Sequence, residues 1–316
     1  MFRRLSQCHN VDDLRLLAKQ RLPSAIFNYI DGAADDEVTY RRNTDAFDDC
    51  DLVPNVLAGV QDVDMSVEVM GQKLSMPIFC SPTALQRLIH HDGERAVAKA
   101  AEQFGTLFGV SSLSTVSLAE IGTLIATPKM FQFYFHKDRG LNDTLLQRAK
   151  EAQFDILTLT VDTITGGNRE RDLRTGFTSP PRLTAGSLAS YALHPAWAFN
   201  FFMRDAFELV ELKGHVSEGS NVAVSVGEYF STMLDQSMSW QDAESLGAMC
   251  GGQFCLKGVM SVADARKAVD IGATAIMVSN HGGRQLDGSR SGFVLIDEIS
   301  DAVCDKFEVI LDGCIL

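Results

Sequence analysis

The sequence predicts a parallel α/β barrel of the (β/α)8, or TIM, class, and three observations carry the prediction. Seven short runs of apolar, β-branched and aromatic residues alternate with helix-like segments, most starting roughly 22 to 32 residues apart, the spacing of βα units. The runs are apolar along their length rather than alternating, as in parallel strands covered on both faces. Polar side chains then collect at their carboxyl ends: Ser81 and Thr83, Ser111, Gln132 and Tyr134, Thr160 and Asp162, Lys257, His281 and Arg284, and Asp312. A barrel brings all those ends round one mouth, whereas an open sheet spreads them along an edge. No Gly-x-Gly-x-x-Gly follows the first run, which removes the main support for a dinucleotide-binding open sheet.

The elements follow in order. Asn10 caps a helix over Val11–Arg21, Pro23 opens a second through Tyr29, and Asp35 starts a third; residues 1–60 are expected to plug or cover the barrel. The strands are expected at Pro77–Ser81, Thr106–Ser112, Lys129–Phe135, Ile156–Asp162, Gln253–Gly258, Ala275–Asn280 and Glu308–Asp312. Between them, Gly93–Phe104 is alanine-rich, Asn142–Gln153 opens on an asparagine cap, and Ser261–Ile271 pairs a serine cap with Asp264. Nearly a hundred residues separate the starts of the fourth and fifth strands; Ser239–Cys250 reads as the expected helix, and residues 165–238 as an insertion over the mouth. The sequence stops at Leu316, just past the seventh strand, so the eighth βα unit of a closed barrel is expected to be missing and the chain to be a fragment of a single barrel domain.

Composition narrows the function classes. The 316 residues are 46% hydrophobic and 22% charged, with 25 glycines and 8 prolines, which is a globular balance. Seven scattered cysteines fit neither a disulfide framework nor a zinc pattern, and reduced thiols are expected. With 41 acidic against 28 basic residues the net charge is −13, which argues against nucleic-acid binding. No secretory signal or spanning apolar stretch is present, so the expected compartment is the cytoplasm. No metal site is expected: His90 and His91 are adjacent and should point apart, and no His-x-x-x-His occurs.

The sharpest cluster is Ser279-Asn280-His281-Gly282-Gly283-Arg284-Gln285-Leu286-Asp287. A histidine at a strand end is suited to general-base work, two glycines let the backbone approach a ligand, and a guanidinium matches a carboxylate bidentately. Asp162 ends a very apolar strand, and a buried carboxylate needs a partner, for which an imidazolium across the mouth is suitable. In Asn168-Arg169-Glu170-Arg171-Asp172 the mixed signs ordinarily mean a solvated loop; one arginine reaching inward would supply a second carboxylate ligand. Lys257 could form a Schiff base, bind phosphate or stabilise negative charge on a cofactor. Gln132 and Tyr134 share one strand face.

These residues, in this order, resemble the FMN-dependent L-2-hydroxy-acid dehydrogenase and oxidase family, from about Val11 to Gly313; besides the His281 motif, the matches include Ser81-Pro82-Thr83-Ala84, Leu159-Thr160-Val161-Asp162 and Leu311-Asp312-Gly313. The resemblance implies FMN as cofactor and oxidation of an L-2-hydroxy acid, with lactate the best single substrate. It places the catalytic base on His281 with Asp162 as partner, the substrate carboxylate on Arg169 and Arg284, and substrate contacts on Tyr29 and Tyr134, the latter also catalytic. It places the flavin against Pro82, Thr83, Ala84, Ser111, Gln132, Thr160, Lys257 and Ser279, with Asp312 and Gly313 at the remnant of the phosphate loop.

The family's Asp-Gly-Gly-Ile/Val-Arg reads here Asp312-Gly313-Cys314-Ile315-Leu316, so an inactive remnant is one alternative, and a phosphate-binding lyase or isomerase using Lys257 another. Leu193-His194-Pro195-Ala196-Trp197 with Phe199, Phe201, Phe202 and Met203 resembles bacterial respiratory L-lactate dehydrogenases, implying a peripheral membrane contact through residues 193–212 or an apolar lid. The electron acceptor implied is quinone, oxygen or a cytochrome, and the complete protein is expected to be a homo-oligomer.

Overall fold

A computed structural model describes residues 4–177, 184–205, 207–213, 232–303 and 307–313. Its chain opens with α1 (Val11–Arg21), α2 (Ser24–Asp31) and α3 (Val38–Asp48), followed by a hairpin of β1 (Val67–Val69) and β2 (Gln72–Leu74). Seven parallel strands come next, each after the first hydrogen-bonded to the one before it: β3 (Cys80–Thr83), β4 (Phe108–Ser111), β5 (Lys129–Phe133), β6 (Ile156–Thr160), β7 (Gln253–Val259), β8 (Ala275–Val278) and β9 (Glu308–Leu311). Sequential parallel pairing with intervening helices is the (β/α) barrel pattern, here open between β3 and β9 among the described residues.

Strand periodicity explains both the core and the mouth. On β5 to β8 the side chains Phe131, Phe133, Leu157, Leu159, Phe254, Leu256, Ile276 and Val278 join one apolar cluster. They meet there the buried faces of α4 (Glu94–Gln103), α5 (Leu118–Leu124), α6 (Arg139–Glu151) and the helices Trp240–Cys250, Val262–Asp270 and Gly292–Val303. The alternate residues face the barrel axis. Leu107, Met130, Ile156, Cys255, Ala275 and Met277 close the amino-terminal end in a second cluster with Met70 and Leu74 of the hairpin. Two residues on, the same files carry polar groups at the mouth: Gln132 after Met130, Lys257 after Cys255, and Ser279 after Met277.

The bottom plug is therefore the hairpin, pinned by the Met70 N–H donating to the Glu308 carboxylate at 2.7 and 2.9 Å, while the amino-terminal helices cover the mouth. Three local expectations are corrected. Helix α6 is capped by Asp138, whose side chain accepts from the Leu141 N–H; Asn142 lies in its first turn, paired with the His136 backbone. The third amino-terminal helix begins at Val38 rather than Asp35. His90 and His91 do not point apart. Their ring centroids lie 4.2 Å apart, and each faces Asp92, because the chain reverses between Gln86 and Gly93 instead of running extended. Of the predicted insertion, α7 (Glu170–Thr175), α8 (Ala185–Leu193) and α9 (Pro195–Phe202) are described, while residues 178–183, 206 and 214–231 lie outside the described residues. Cys8, Cys50, Cys80, Cys250 and Cys255 are free thiols.

Candidate active site

The carboxyl ends of the strands enclose a cavity of about 410 Å³. Of the residues that the resemblance assigns to catalysis, substrate or flavin, all but two line it; Asp162 and Ser279 lie behind His281 and Lys257. Ile89, Leu113, Gly167 and Gln285 complete parts of the wall.

His281 occupies a turn that its neighbours dictate. It and the two glycines after it have φ of 57°, 65° and 73°, the left-handed region that glycine enters without penalty. A side chain on Gly283 would come within 2.7 Å of the Tyr40 backbone nitrogen, so α3 can pack against this turn only at glycine. Asn280 and Asn43 exchange amide hydrogen bonds of 2.7 and 2.9 Å, which locks the turn to α3. The result holds His281 Nδ1 at 3.0 and 3.2 Å from the two Asp162 carboxylate oxygens. Glycine matters here too: Gly258 has φ of 110°, and a Cβ on it would fall 2.7 Å from the Asp162 side chain. With Asp162 on Nδ1, the other ring nitrogen, Nε2, is the one left for proton transfer.

The two arginines share the Tyr29 ring: their guanidinium carbons lie 5.1 Å (Arg169) and 5.3 Å (Arg284) from its centroid. Arg284 Nη1 donates to the carbonyls of Tyr29, Ile30 and Gly32 at the end of α2, at 2.8, 3.2 and 2.7 Å. This is a favourable place for a cation, since the carbonyls at a helix end carry partial negative charge. Burial, with Arg169 nearby, still pulls Arg284 below the usual arginine value. Arg169 Nε lies 3.1 Å from the Asp172 carboxylate. Gly167 permits this crowding, because a Cβ there would lie 2.0 Å from the Arg284 carbonyl oxygen. The second arginine of the motif, Arg171, turns outward to Asp31 (2.8 Å) and Glu37, fastening α7 to α2. Tyr134 is pushed above the usual phenol range by burial and by Asp162, so it stays a neutral donor.

Lys257 sits in a closed polar network. Its Nζ is 2.6 Å from Asp312 and 3.0 Å from Ser279; Ser279 and Ser81 donate to the same Asp312 carboxylate at 2.7 and 2.6 Å. Burial alone would lower the ammonium, but Asp312 and Asp162 outweigh it and raise Lys257 above the ordinary lysine value. Burial likewise opposes ionisation of Asp312, yet Lys257 and the two hydroxyls hold it well below the carboxylate range. A Schiff-base lysine must lose its proton at working pH; this one is built to keep it. A fixed buried cation suits a ring on which negative charge develops. Gln132 donates to Thr160 at 2.7 Å on the adjacent strand, which leaves its carbonyl and the Ser111 hydroxyl to a polar ring edge. Pro82, Ala84 and Leu113 give an apolar wall. The donor set thus fits the ring system of FMN.

Two features escaped the sequence reading. Asp172 was one letter in a mixed-charge run, yet it is 5% exposed. Glu94, fully buried, accepts from the Thr115 N–H (2.9 Å) and hydroxyl (2.6 Å), tying α4 to the loop after β4; an acid at the first position of a helix is common enough to pass unnoticed.

Comparison with known proteins shows the family. Residues 18–316 match the family model described as FMN-dependent dehydrogenase. The chain is 35% identical over 309 residues to glycolate oxidase 1 of Oryza sativa subsp. indica, covering 98% of this chain and 78% of that protein. It is 36% identical over 302 residues to L-lactate dehydrogenase of Vibrio parahaemolyticus serotype O3:K6, covering 95% and 79%. Among solved structures, a monotopic membrane protein, (S)-mandelate dehydrogenase, superposes with a TM-score of 0.89 at 29% identity over 97% of this chain and 80% of that one. A mandelate oxidase with (S)-4-hydroxymandelic acid gives 0.81 at 33% identity, over 96% and 79%. In the described residues, no helix is long and apolar enough to cross a membrane. The chain belongs to the FMN-dependent dehydrogenase family, whose cofactor is FMN and whose reaction is the oxidation of small 2-hydroxy acids.

Proposed function

We propose that the chain, read as one barrel unit over residues 1–316, oxidises an L-2-hydroxy acid, L-lactate first among them, to the 2-oxo acid, with His281 as the base. The observation that carries this reading is that His281, backed by Asp162, lines the same cavity as Arg169 and Arg284, whose guanidiniums lie over the Tyr29 ring. A carboxylate held by Arg169 and Arg284 fixes one end of the acid, with Tyr29 and Tyr134 contacting its carboxylate or hydroxyl. His281 takes a proton from the carbon or hydroxyl being oxidised, and Asp162 stabilises the imidazolium that results. FMN, when bound, would accept the two electrons together with the second hydrogen. Lys257, held by Ser279 and Asp312, would supply positive charge beside the flavin ring, and Pro82, Thr83, Ala84, Ser111, Gln132, Thr160 and Gly313 would line the cofactor. Ile89 and Leu113 offer a small methyl group an apolar surface.

Leu193, Phe199, Phe202 and Met203 lie between 58% and 77% exposed on α8, α9 and the residue after it. An apolar patch of this kind supports peripheral attachment to the inner face of a membrane, and with it a quinone acceptor over oxygen or a cytochrome. The test of the function is direct: the FMN-loaded protein should be bleached anaerobically by L-lactate, while His281→Ala keeps its flavin and loses bleaching by roughly 10²–10⁴-fold, the range of a positioned base. Equal reduction rates in the two proteins would remove His281 from the mechanism.

A further inference from the structure

Asp172 is an anomaly that the proposed chemistry does not use. It is 5% exposed, and among the described residues neither carboxylate oxygen receives a hydrogen bond. Arg169 Nε lies 3.1 Å away but is not aligned to donate, so the contact is one of charge only. A buried carboxylate without donors is poorly tolerated as an anion and well tolerated as a neutral acid. Burial accordingly pushes Asp172 up to about 6, against the pull of Arg169 and Arg284.

The groups that face it leave little else to compensate its charge. From its own helix end comes Arg169, and from the turn after β8 comes Arg284. The Tyr29 ring on α2 lies under both guanidiniums, and Tyr134 on the strand side senses the same two. Arg171 is already occupied by Asp31 and Glu37. The two cations that keep Asp172 ionised are thus the two that the proposed function assigns to the substrate carboxylate. A second anion on that pair both repels Asp172 and draws on the charge that stabilised it.

We propose that docking of a 2-hydroxy-acid or 2-oxo-acid carboxylate on Arg169 and Arg284 is coupled to uptake of one proton from solvent by Asp172. The proton stays on the Asp172 carboxyl until the acid leaves, so the pocket carries the same net charge with and without its ligand. This inference rests on the proposed function, since it needs that carboxylate to sit on those arginines. Its consequence has a definite sign. Above the range in which Asp172 loses its proton in the empty site, binding takes up a proton, so affinity falls by up to tenfold for each unit of pH.

The experiment is calorimetric titration of the FMN-loaded protein with pyruvate, which the oxidised site can hold without reacting. Running it at slightly alkaline pH in buffers of different ionisation enthalpy counts the protons. Close to one proton per pyruvate is expected for the parent and for His281→Gln, and none for Asp172→Asn, whose affinity should also stop varying with pH. Uptake that survives in Asp172→Asn, or vanishes in His281→Gln instead, overturns the assignment to Asp172. The parent alone supplies a second test: pyruvate affinity that is the same at slightly acid and slightly alkaline pH overturns the coupling without any variant. Binding without proton uptake sinks only this inference, whereas no pyruvate binding by the parent sinks the proposed function with it.

Discussion

Replacing Asp162 by asparagine isolates the electrostatic half of the proposed base. The change keeps the size of the side chain and removes the charge 3.0 Å from His281 Nδ1. The pair is mostly sequestered, with side-chain exposures of 22% for His281 and 13% for Asp162. At an effective dielectric near 20, unit charges 3 Å apart attract by about 5 kcal/mol, an upper bound before desolvation is charged against it. The net value of a hydrogen bond to a charged group is about 1.5–3 kcal/mol. Because the imidazolium forms only as the proton moves, this loss falls on the barrier and not on substrate binding. Flavin reduction at saturating L-lactate should therefore slow by roughly 10- to 150-fold, with little change in the concentration that half-saturates it. Anaerobic stopped flow separates the two quantities. A rate equal to the parent's, or a loss confined to apparent affinity, would refute the idea that Asp162 stabilises charge on His281.

Three further outcomes are expected. Gly258→Ala should lower both stability and flavin reduction, because its Cβ would lie 2.7 Å from Asp162 and its φ of 110° strains any side chain by on the order of 1–3 kcal/mol; thermal melts and stopped flow check the two effects. Arg284→Lys keeps the charge but not the fork, and a single ammonium cannot both serve three carbonyls of α2 and grip a carboxylate, so half-saturation by lactate should rise at least about tenfold in steady-state assays. Replacing Leu193, Phe199 and Phe202 together by serine should reduce co-sedimentation with anionic lipid vesicles while leaving flavin reduction by lactate intact, since all three are exposed and none lines the cavity.

What could be read from sequence was whatever had a local signature. Each barrel strand is an apolar run with polar residues at its end, and those ends become the mouth because inward-facing files alternate with outward ones. The hairpin Val67–Leu74 has no such signature: its strands are three residues long, with exposed Glu68 and Lys73, and the cluster that buries Met70 draws on barrel residues distant in sequence, from Leu107 to Met277. The same division holds within the site. His281, its two glycines and Arg284 announce themselves as a motif, and a carboxylate ending an apolar strand implies a cationic partner, although 119 residues separate Asp162 from His281. The commitment of Arg284 to the end of α2 has no local trace, because it depends on how the amino-terminal helices lie over the barrel. Asp172 illustrates the limit. A run of alternating charges reads as solvated, and only packing decides which of its members is buried.

The central claim is that this cavity removes two electrons from a 2-hydroxy acid whose carboxylate is held opposite His281. Anaerobic titration of the FMN-loaded protein with L-lactate, following the flavin absorbance and the pyruvate formed, tests it most directly. The account predicts that the flavin is bleached with one pyruvate produced per FMN reduced, and that D-lactate leaves it oxidised. Bound FMN that stays oxidised with L-lactate, glycolate and (S)-mandelate alike would contradict it.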